Sequence, residues 1–396
     1  MAGLSAAEIL ERLVAFDSTS RNSNLDIIAF IEDYLASHGV ASRRYDYEPG
    51  RKTNLFATIG PEDRHGVLLS GHTDVVPVDG QEWTSDPFRL TARDGRLHGR
   101  GTCDMKGFLA AVLAMVPTFR GTRLETPIHL AFSCDEEIGC RGVRPMVEGI
   151  VRDDPLPLLA IVGEPTSMEV INAHKGTVTF RTEVVGAAAH SSNPQAGANA
   201  TYAAAEIVLE IERIAEDLRS NGPSDAAFAT PYSTLQVGVI NGGTVKNIVP
   251  ERCGFIWEMR PLPGVTEDEV LARVDAFSRL IGDRLQGRAP QAGISTTRVN
   301  SVPGLAPQPG SPAETFVLRL AGRNRPFAVS YATEGGHFSN AGIPTLICGP
   351  GSIDQAHKPD EFIEMAELDR CLAMLSRLAR ECERPLQAFL EGDTAG

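Results

Sequence analysis

The chain has 396 residues, long enough for more than one domain at roughly 100–200 residues each. Its composition, 42% hydrophobic and 22% charged, is that of a soluble globular protein. A formal net charge of −14 argues against nucleic-acid backbones or anionic membranes as partners and is compatible with a cationic small molecule. The seven cysteines are scattered, form no CxxC pair and are odd in number, which argues against a disulfide framework or a thiolate zinc site. The first segment carries Glu8, Glu11 and Arg12 on a helical pattern, with no cationic stretch leading into an apolar core, so no secretory signal is expected. No apolar run approaches the ~20 residues of a membrane span. The expected setting is the cytoplasm, with reduced thiols.

The first part of the chain reads as α/β. Ile9, Leu10, Leu13 and Val14, then Ile27, Ile28, Ile31 and Leu35, have helical spacing. Strand-like runs follow at Leu55–Ile59, Val67–Ser70, Ile128–Cys134 and Leu158–Val162, with an apolar helix over Met105–Val116. The pattern changes near Thr177, where Thr177–Val185 alternates like a half-exposed strand. A long amphipathic helix over Asn199–Leu218 has Ile207, Leu209, Ile211 and Ile214 among its apolar positions. Strands Thr234–Ile240 and Cys253–Met259 come next. A helix over Glu267–Leu285, with Val270, Leu271, Val274, Phe277, Leu280 and Ile281, leads to strand Ile294–Val299. This β-α-β-β-α-β order matches a ferredoxin-like insert. Pro303, Pro307, Pro309 and Pro312 read as a linker before strand Thr345–Cys348 and a final helix through Leu368–Leu378. The expected organisation is a discontinuous α/β catalytic domain with a mixed sheet, residues 1–177 and 303–396, interrupted by a lid or dimerisation domain over 178–302.

Several predicted strands end in metal-ligand residue types. His72 and Asp74 follow Val67–Ser70, and in extended backbone positions two apart point the same way, so Asp74 can orient the His72 imidazole. Asp135-Glu136-Glu137 follows Ile128–Cys134, Glu164 follows Leu158–Val162, and His357 follows Thr345–Cys348 after the turn Gly349-Pro350-Gly351. Asp104 lies just before the apolar helix. Singly, these read as an N-cap, turn residues and a surface histidine. Gathered outside the carboxyl ends of an α/β sheet, they read as a metal centre.

At these residues the chain resembles the dinuclear zinc amidohydrolases and peptidases, a family that includes acetylornithine deacetylase, succinyl-diaminopimelate desuccinylase, aminoacylase and glutamate carboxypeptidase. The resemblance rests on Gly71-His72-Thr73-Asp74-Val75-Val76-Pro77, Gly101-Thr102-Cys103-Asp104-Met105-Lys106-Gly107, Asp135-Glu136-Glu137-Ile138-Gly139 and Gly163-Glu164-Pro165-Thr166, in order over nearly the whole chain. Within the family, Gly349–His357, Tyr331-Ala332-Thr333-Glu334 and His190-Ser191-Ser192-Asn193-Pro194 are most similar to the acetylornithine deacetylase branch.

The resemblance implies two Zn²⁺ ions per subunit, with Co²⁺ a possible substitute. His72 and Glu164 would hold one, Glu137 and His357 the other, and Asp104 would bridge them. Glu136 would be the general base, with Asp74 orienting His72. His190 would stabilise the oxyanion, reaching across a homodimer formed through the inserted domain. Arg260 would grip the α-carboxylate of the substrate, Asn247 would add a hydrogen bond, and Glu334 would meet an ornithine ammonium. Gly242-Gly243 fits either backbone approach to a ligand or a hairpin turn. The implied reaction is hydrolysis of an N-acyl amino acid, foremost N2-acetyl-L-ornithine to L-ornithine and acetate in arginine biosynthesis. Succinyl-diaminopimelate desuccinylase and a broader aminoacylase are the alternatives.

Overall fold

The structure, a computed structural model, describes residues 3–391. It divides into two compact units. The first holds the chain up to Ala173, Leu305–Ala328 and the stretch from Thr333 on; the second holds His174–Gly304 and Val329–Ala332. The division thus falls a few residues from the expected limits, at 174 and 304, and a short return segment groups with the insert.

In the first unit, α1 (Ala6–Val14) and α2 (Leu25–Ser37) precede strands β1 (Ser42–Glu48), β2 (Lys52–Ile59) and β3 (Val67–His72). Ser5 starts α1 with a capping box: its side chain accepts from the Glu8 amide while the Glu8 carboxylate accepts from the Ser5 amide. Then come β4 (Thr91–Arg93), β5 (Arg96–His98), α3 (Lys106–Gly121), β6 (Ile128–Ser133), α4 (Val143–Asp153), β7 (Leu159–Pro165) and β8 (Ile171–His174). The second unit supplies β9 (Thr177–Val185), α5 (Ala200–Asn221), β10 (Thr234–Gly242), β11 (Arg252–Arg260), α6 (Asp268–Gln286) and β12 (Gly293–Val302). The chain ends with α7 (Pro312–Ala321), β13 (Phe327–Val329), α8 (Gly335–Asn340), β14 (Thr345–Gly349), β15 (Phe362–Glu364), α9 (Met365–Glu381) and α10 (Gln387–Leu390).

The main sheet has eight strands in the order β1-β2-β6-β3-β7-β14-β8-β13. Its centre, β6-β3-β7-β14, is parallel throughout, and β1, β2 and β8 pair antiparallel at its flanks. The parallel strands are buried on both faces, which is why they read as unbroken apolar runs. Helix α3 is likewise buried almost all round, through Phe108, Leu109, Val112, Leu113, Val116 and Phe119. It packs closely over β7: a Cβ on Gly163 would lie 2.0 Å from the Phe108 ring, so only glycine fits there. Because β3, β6, β7 and β14 run the same way, the residues that close them collect at one edge of the sheet.

The second unit has the β-α-β-β-α-β order of a ferredoxin-like domain, with an antiparallel sheet ordered β10-β11-β9-β12. Alternation puts Val178, Phe180 and Val184 of β9 and Cys253, Phe255, Trp257 and Met259 of β11 into its core. The rings of Phe180 and Trp257 stack with centroids 4.2 Å apart, and the indole donates to Thr182 at 3.0 Å. The helices cover this face with Ile207, Ile211 and Ile214 from α5 and Val270, Val274 and Ile281 from α6. Leu209 and Leu280, expected among the apolar positions, are exposed, since each lies off the buried stripe in helical phase.

Pro312, expected in a linker, is instead the first residue of α7, where a missing N–H costs nothing; Ser311 caps it by accepting from the Glu314 amide at 3.2 Å. All seven cysteines are buried and free. Among the described residues no helix is long and apolar enough to cross a membrane.

Candidate metal centre

Asp104 lies between two histidines. Its Oδ1 is 3.0 Å from Nε2 of His72, and its Oδ2 is 3.4 Å from Nε2 of His357. Glu137 Oε2 is 3.0 Å from His357 Nε2, and Glu164 Oε1 is 4.0 Å from His72 Nε2. Each oxygen of a single aspartate thus faces one histidine, and each histidine has a glutamate oxygen within 4.0 Å. His72, Asp104 and Glu137 bring ligand atoms within 4.8 Å of one another, as do His72, Glu136 and Glu164. Asp104 does not cap α3; Met105 is the cap, with no side-chain hydrogen bond. The reading of Asp104 as an ordinary N-cap thus falls away.

Each ligand type is placed by a distinct element. His72 is the last residue of β3, and Glu164 lies inside β7. Glu136 and Glu137 follow β6, on a loop in which Asp135 has φ +54. His357 lies beyond β14 with φ +63. The Nδ1 nitrogen of His72 donates to the main-chain carbonyl of Asp74 at 2.9 Å, leaving Nε2 toward Asp104. The Asp74 carboxylate stands farther off, at 3.7 Å. The extended-backbone argument fails here because β3 ends at His72. That carboxylate instead accepts from Ser20 Oγ at 2.7 Å and from the amides of Glu136 and Glu137 at 3.1 and 3.3 Å. Asp74 thus orients His72 through its backbone and the Glu136–Glu137 loop through its side chain.

Three further polar side chains, not singled out in the sequence, hold these loops. Lys52, wholly buried, pairs with Asp135 at 2.5 Å and donates to the Ser20 carbonyl at 2.7 Å. Asn54 accepts from the Cys134 amide at 3.0 Å and donates to the Gly142 carbonyl at 2.8 Å, spanning the loop after β6. Glu361 accepts from the amides of Gly101, Cys103 and Asp104 at 3.0, 2.8 and 3.0 Å. The only sequence sign of these roles is polarity beside the ligand motifs.

The electrostatics call for a cation. Asp104, Glu136, Glu137 and Glu164 crowd around two imidazoles. With no cation counted, burial pushes the Glu136 carboxyl up to about 8 against the pull of His72, with Glu137 and Asp104 adding repulsion. Burial and the Asp104 charge push Glu137 up to about 7. Burial and the same neighbours raise Glu164 well above its usual range. Hydrogen bonds that His357 donates to Asp104 and Glu137 lift its imidazole to about 10. Burial opposes charge on both His72 and Asp104, yet the hydrogen bond to Asp104 raises His72 well above its usual range, and hydrogen bonds from His357 and His72 hold the Asp104 carboxyl well below its own. Oε1 of Glu137 is buried with no hydrogen-bond partner. Mixed nitrogen and oxygen donors, excess negative charge and an orphaned carboxylate oxygen fit divalent ions of the zinc type.

The remaining expected residues lie in the second unit, apart from Glu334. His190 pairs with Ile248 as an antiparallel bridge, and the Ser191 amide donates to the Asn247 carbonyl at 3.0 Å, so the His190 and Asn247 segments are neighbours. His190 Nδ1 is 2.7 Å from Ser192 Oγ. Arg260 is half-exposed at the end of β11, its Nε 3.2 Å from Glu258. Gly243, at φ +76, turns the chain out of β10, which favours the hairpin reading of Gly242-Gly243. Glu334 differs from expectation. It is wholly buried, and its two oxygens accept from Ser70 and Ser133, each at 2.6 Å. Those hydroxyls occupy both oxygens, so it is an internal carboxylate under the ends of β3 and β6.

Residues 68–281 and 311–381 match the model of peptidase family M20/M25/M40, and the chain belongs to that family of hydrolases. Solved structures of similar fold include a tripeptidase from Staphylococcus aureus (TM-score 0.75, 17% identity, covering 97% of this chain and 100% of that one). An M20 family metallo-carboxypeptidase from Sulfolobus solfataricus has a TM-score of 0.77 at 17% identity, over 96% of this chain and 99% of that one. The YXEP protein of Bacillus subtilis, a dinuclear metal-binding peptidase, has a TM-score of 0.64 at 14% identity, over 94% and 96%. Likeness at such identities carries the fold and leaves the substrate open.

Proposed function

We propose that the protein hydrolyses the N-acyl amide of an amino acid with two divalent ions, and that its substrate is N2-acetyl-L-ornithine, released as L-ornithine and acetate. The observation that carries the hydrolytic reading is the convergence of His72 and His357 on opposite oxygens of Asp104, with Glu136 beside them. His72, Asp104 and Glu164 would hold one ion; Asp104, Glu137 and His357 would hold the other. Zinc ions so held supply Lewis acidity toward the carbonyl and make water nucleophilic near neutral pH.

The chain's own residues do the rest. Glu136 takes the proton of the attacking water and passes it to the departing nitrogen. Cys140 Sγ, 3.2 Å from Glu136 Oε1, helps fix the carboxylate's direction. Arg260 binds the substrate's α-carboxylate through its guanidinium fork, and Asn247 adds a hydrogen bond. His190 donates to the oxyanion of the tetrahedral intermediate.

The substrate rests on the resemblance of Gly349–His357 and Tyr331–Glu334 to the acetylornithine deacetylases. Burial of Glu334 leaves no carboxylate assigned to the ornithine ammonium. A panel of acetylornithine, succinyl-diaminopimelate, acetylmethionine, acetylcitrulline and a dipeptide tests it. Acetylornithine is expected to give the highest kcat/KM. Preference for the succinyl substrate or the dipeptide would replace this substrate and leave the hydrolytic reading intact.

His190 acts in this reading on the site of a second copy of the chain. Support comes from edge strand β10, which exposes Val239 and Ile240, and from an adjoining groove of about 620 Å³ lined by Tyr202, Val245 and Ile248. An exposed apolar edge strand is a surface that pairing covers. Mixing a His190→Ala chain with a Glu136→Ala chain is expected to restore activity as subunits exchange. No recovery despite exchange shown by mass measurement would place His190 in its own subunit's site or outside catalysis.

A further inference from the structure

The two halves of the metal centre are not equally supported. His72 closes β3, paired there with Ser133 of β6, and Glu164 lies inside the adjacent central strand β7, so both ligands sit on sheet backbone. His357 sits on a loop, its side chain 54% exposed and its backbone at φ +63, where a residue with a Cβ is strained. Something must hold that loop against Asp104.

Gln81 does this. Its Nε2 donates to the main-chain carbonyl of His357 at 2.9 Å. Its Oε1 accepts from Arg100 Nη2 at 2.5 Å and from the Trp83 indole at 3.0 Å. Two donors on one end of the amide fix its orientation, so the NH₂ group must face the His357 carbonyl. Arg100 and Glu361 are both 1% exposed and are joined at 2.7 Å, and the Arg100 guanidinium also lies 5.1 Å from the Trp83 ring centroid. Glu361 then accepts from the Asp104 amide. A continuous chain of hydrogen bonds therefore runs from the His357 carbonyl through Gln81, Arg100 and Glu361 to the backbone of Asp104. Arg100 Nη1 adds a longer contact to the Lys358 carbonyl at 3.4 Å.

We propose that Gln81 is a positioning residue for the second ion: through Arg100 and Glu361 it fixes the spacing of His357 from Asp104 and thereby sets the affinity of that half alone. The inference rests on the two-ion reading above. Partners that orient a metal ligand are worth about 10–100-fold in metal affinity. Gln81→Ala removes both ends of the link. Gln81→Glu keeps an acceptor for Arg100 but places a second acceptor against the His357 carbonyl. Gln81 is only half-buried, so both variants should fold.

The test is calorimetric titration of the metal-stripped full chain with Zn²⁺. The wild-type protein is expected to take up two ions. Both variants should bind the first with wild-type affinity and the second about 10–100-fold more weakly. Unchanged affinity for both ions in both variants would overturn the proposal, and equal weakening of both ions would reduce Gln81 to a general brace and overturn it too. Uptake of fewer than two ions by the wild-type protein would instead remove the two-ion reading, and this inference with it.

Discussion

Glu136→Gln is expected to lower kcat by about 10²–10⁴-fold while the protein keeps its ions. Glutamine preserves the side chain's shape and keeps an oxygen for the Cys140 thiol, 3.2 Å away in the native protein. It removes the only function the proposal gives Glu136, which is to accept and return a proton. The ions should stay because Asp104, Glu137, Glu164 and the two histidines are untouched. Steady-state kinetics with metal analysis of the same sample checks it. A variant that loses its metal would instead make Glu136 a ligand, a role its placement beside His72 and Glu164 also allows on distance alone. A variant as active as wild type would remove Glu136 from the chemistry.

Asp104→Asn is the larger perturbation. Both oxygens of Asp104 face imidazole nitrogens, at 3.0 and 3.4 Å. An amide would turn an NH₂ group toward one of them and remove a charge shared by both halves of the centre. The expected result is at most one ion retained and a fall in activity of at least about 10³-fold, since each ion is credited with several kcal/mol at roughly 1.36 kcal/mol per tenfold. Fold should survive, because the loop around Asp104 hangs on backbone amides held by Glu361 rather than on the Asp104 side chain. Metal content, activity and thermal unfolding on one preparation separate these effects. Two ions retained at full activity would mean that Asp104 does not bridge.

The parts of this fold that the sequence displays are those with strong local patterns. The central strands are apolar on both faces and appear as runs, and the ligand-type residues sit at or just past their ends. The insert is visible because β9 alternates over its whole length, Thr177–Val185. What stays hidden depends on contacts far apart in the chain. Strand β1, sequence Ser-Arg-Arg-Tyr-Asp-Tyr-Glu, is a polar edge whose only structural signal is its pairing with β2. Lys52 and Glu361 look like solvated charges until folding brings Lys52 to Asp135 and Glu361 to Arg100. Glu334 carries the opposite lesson: its motif resembles a substrate contact, yet Ser70 and Ser133 claim it from strands β3 and β6. A sequence motif marks which residues are special but does not say which atoms they meet.

The most direct test of the account is anomalous diffraction at the zinc edge from crystals grown with Zn²⁺. Two peaks are expected, one against His72 and Glu164 and the other against Glu137 and His357, with the Asp104 carboxylate between them. A single peak at full occupancy, or two peaks that do not share Asp104, would contradict it.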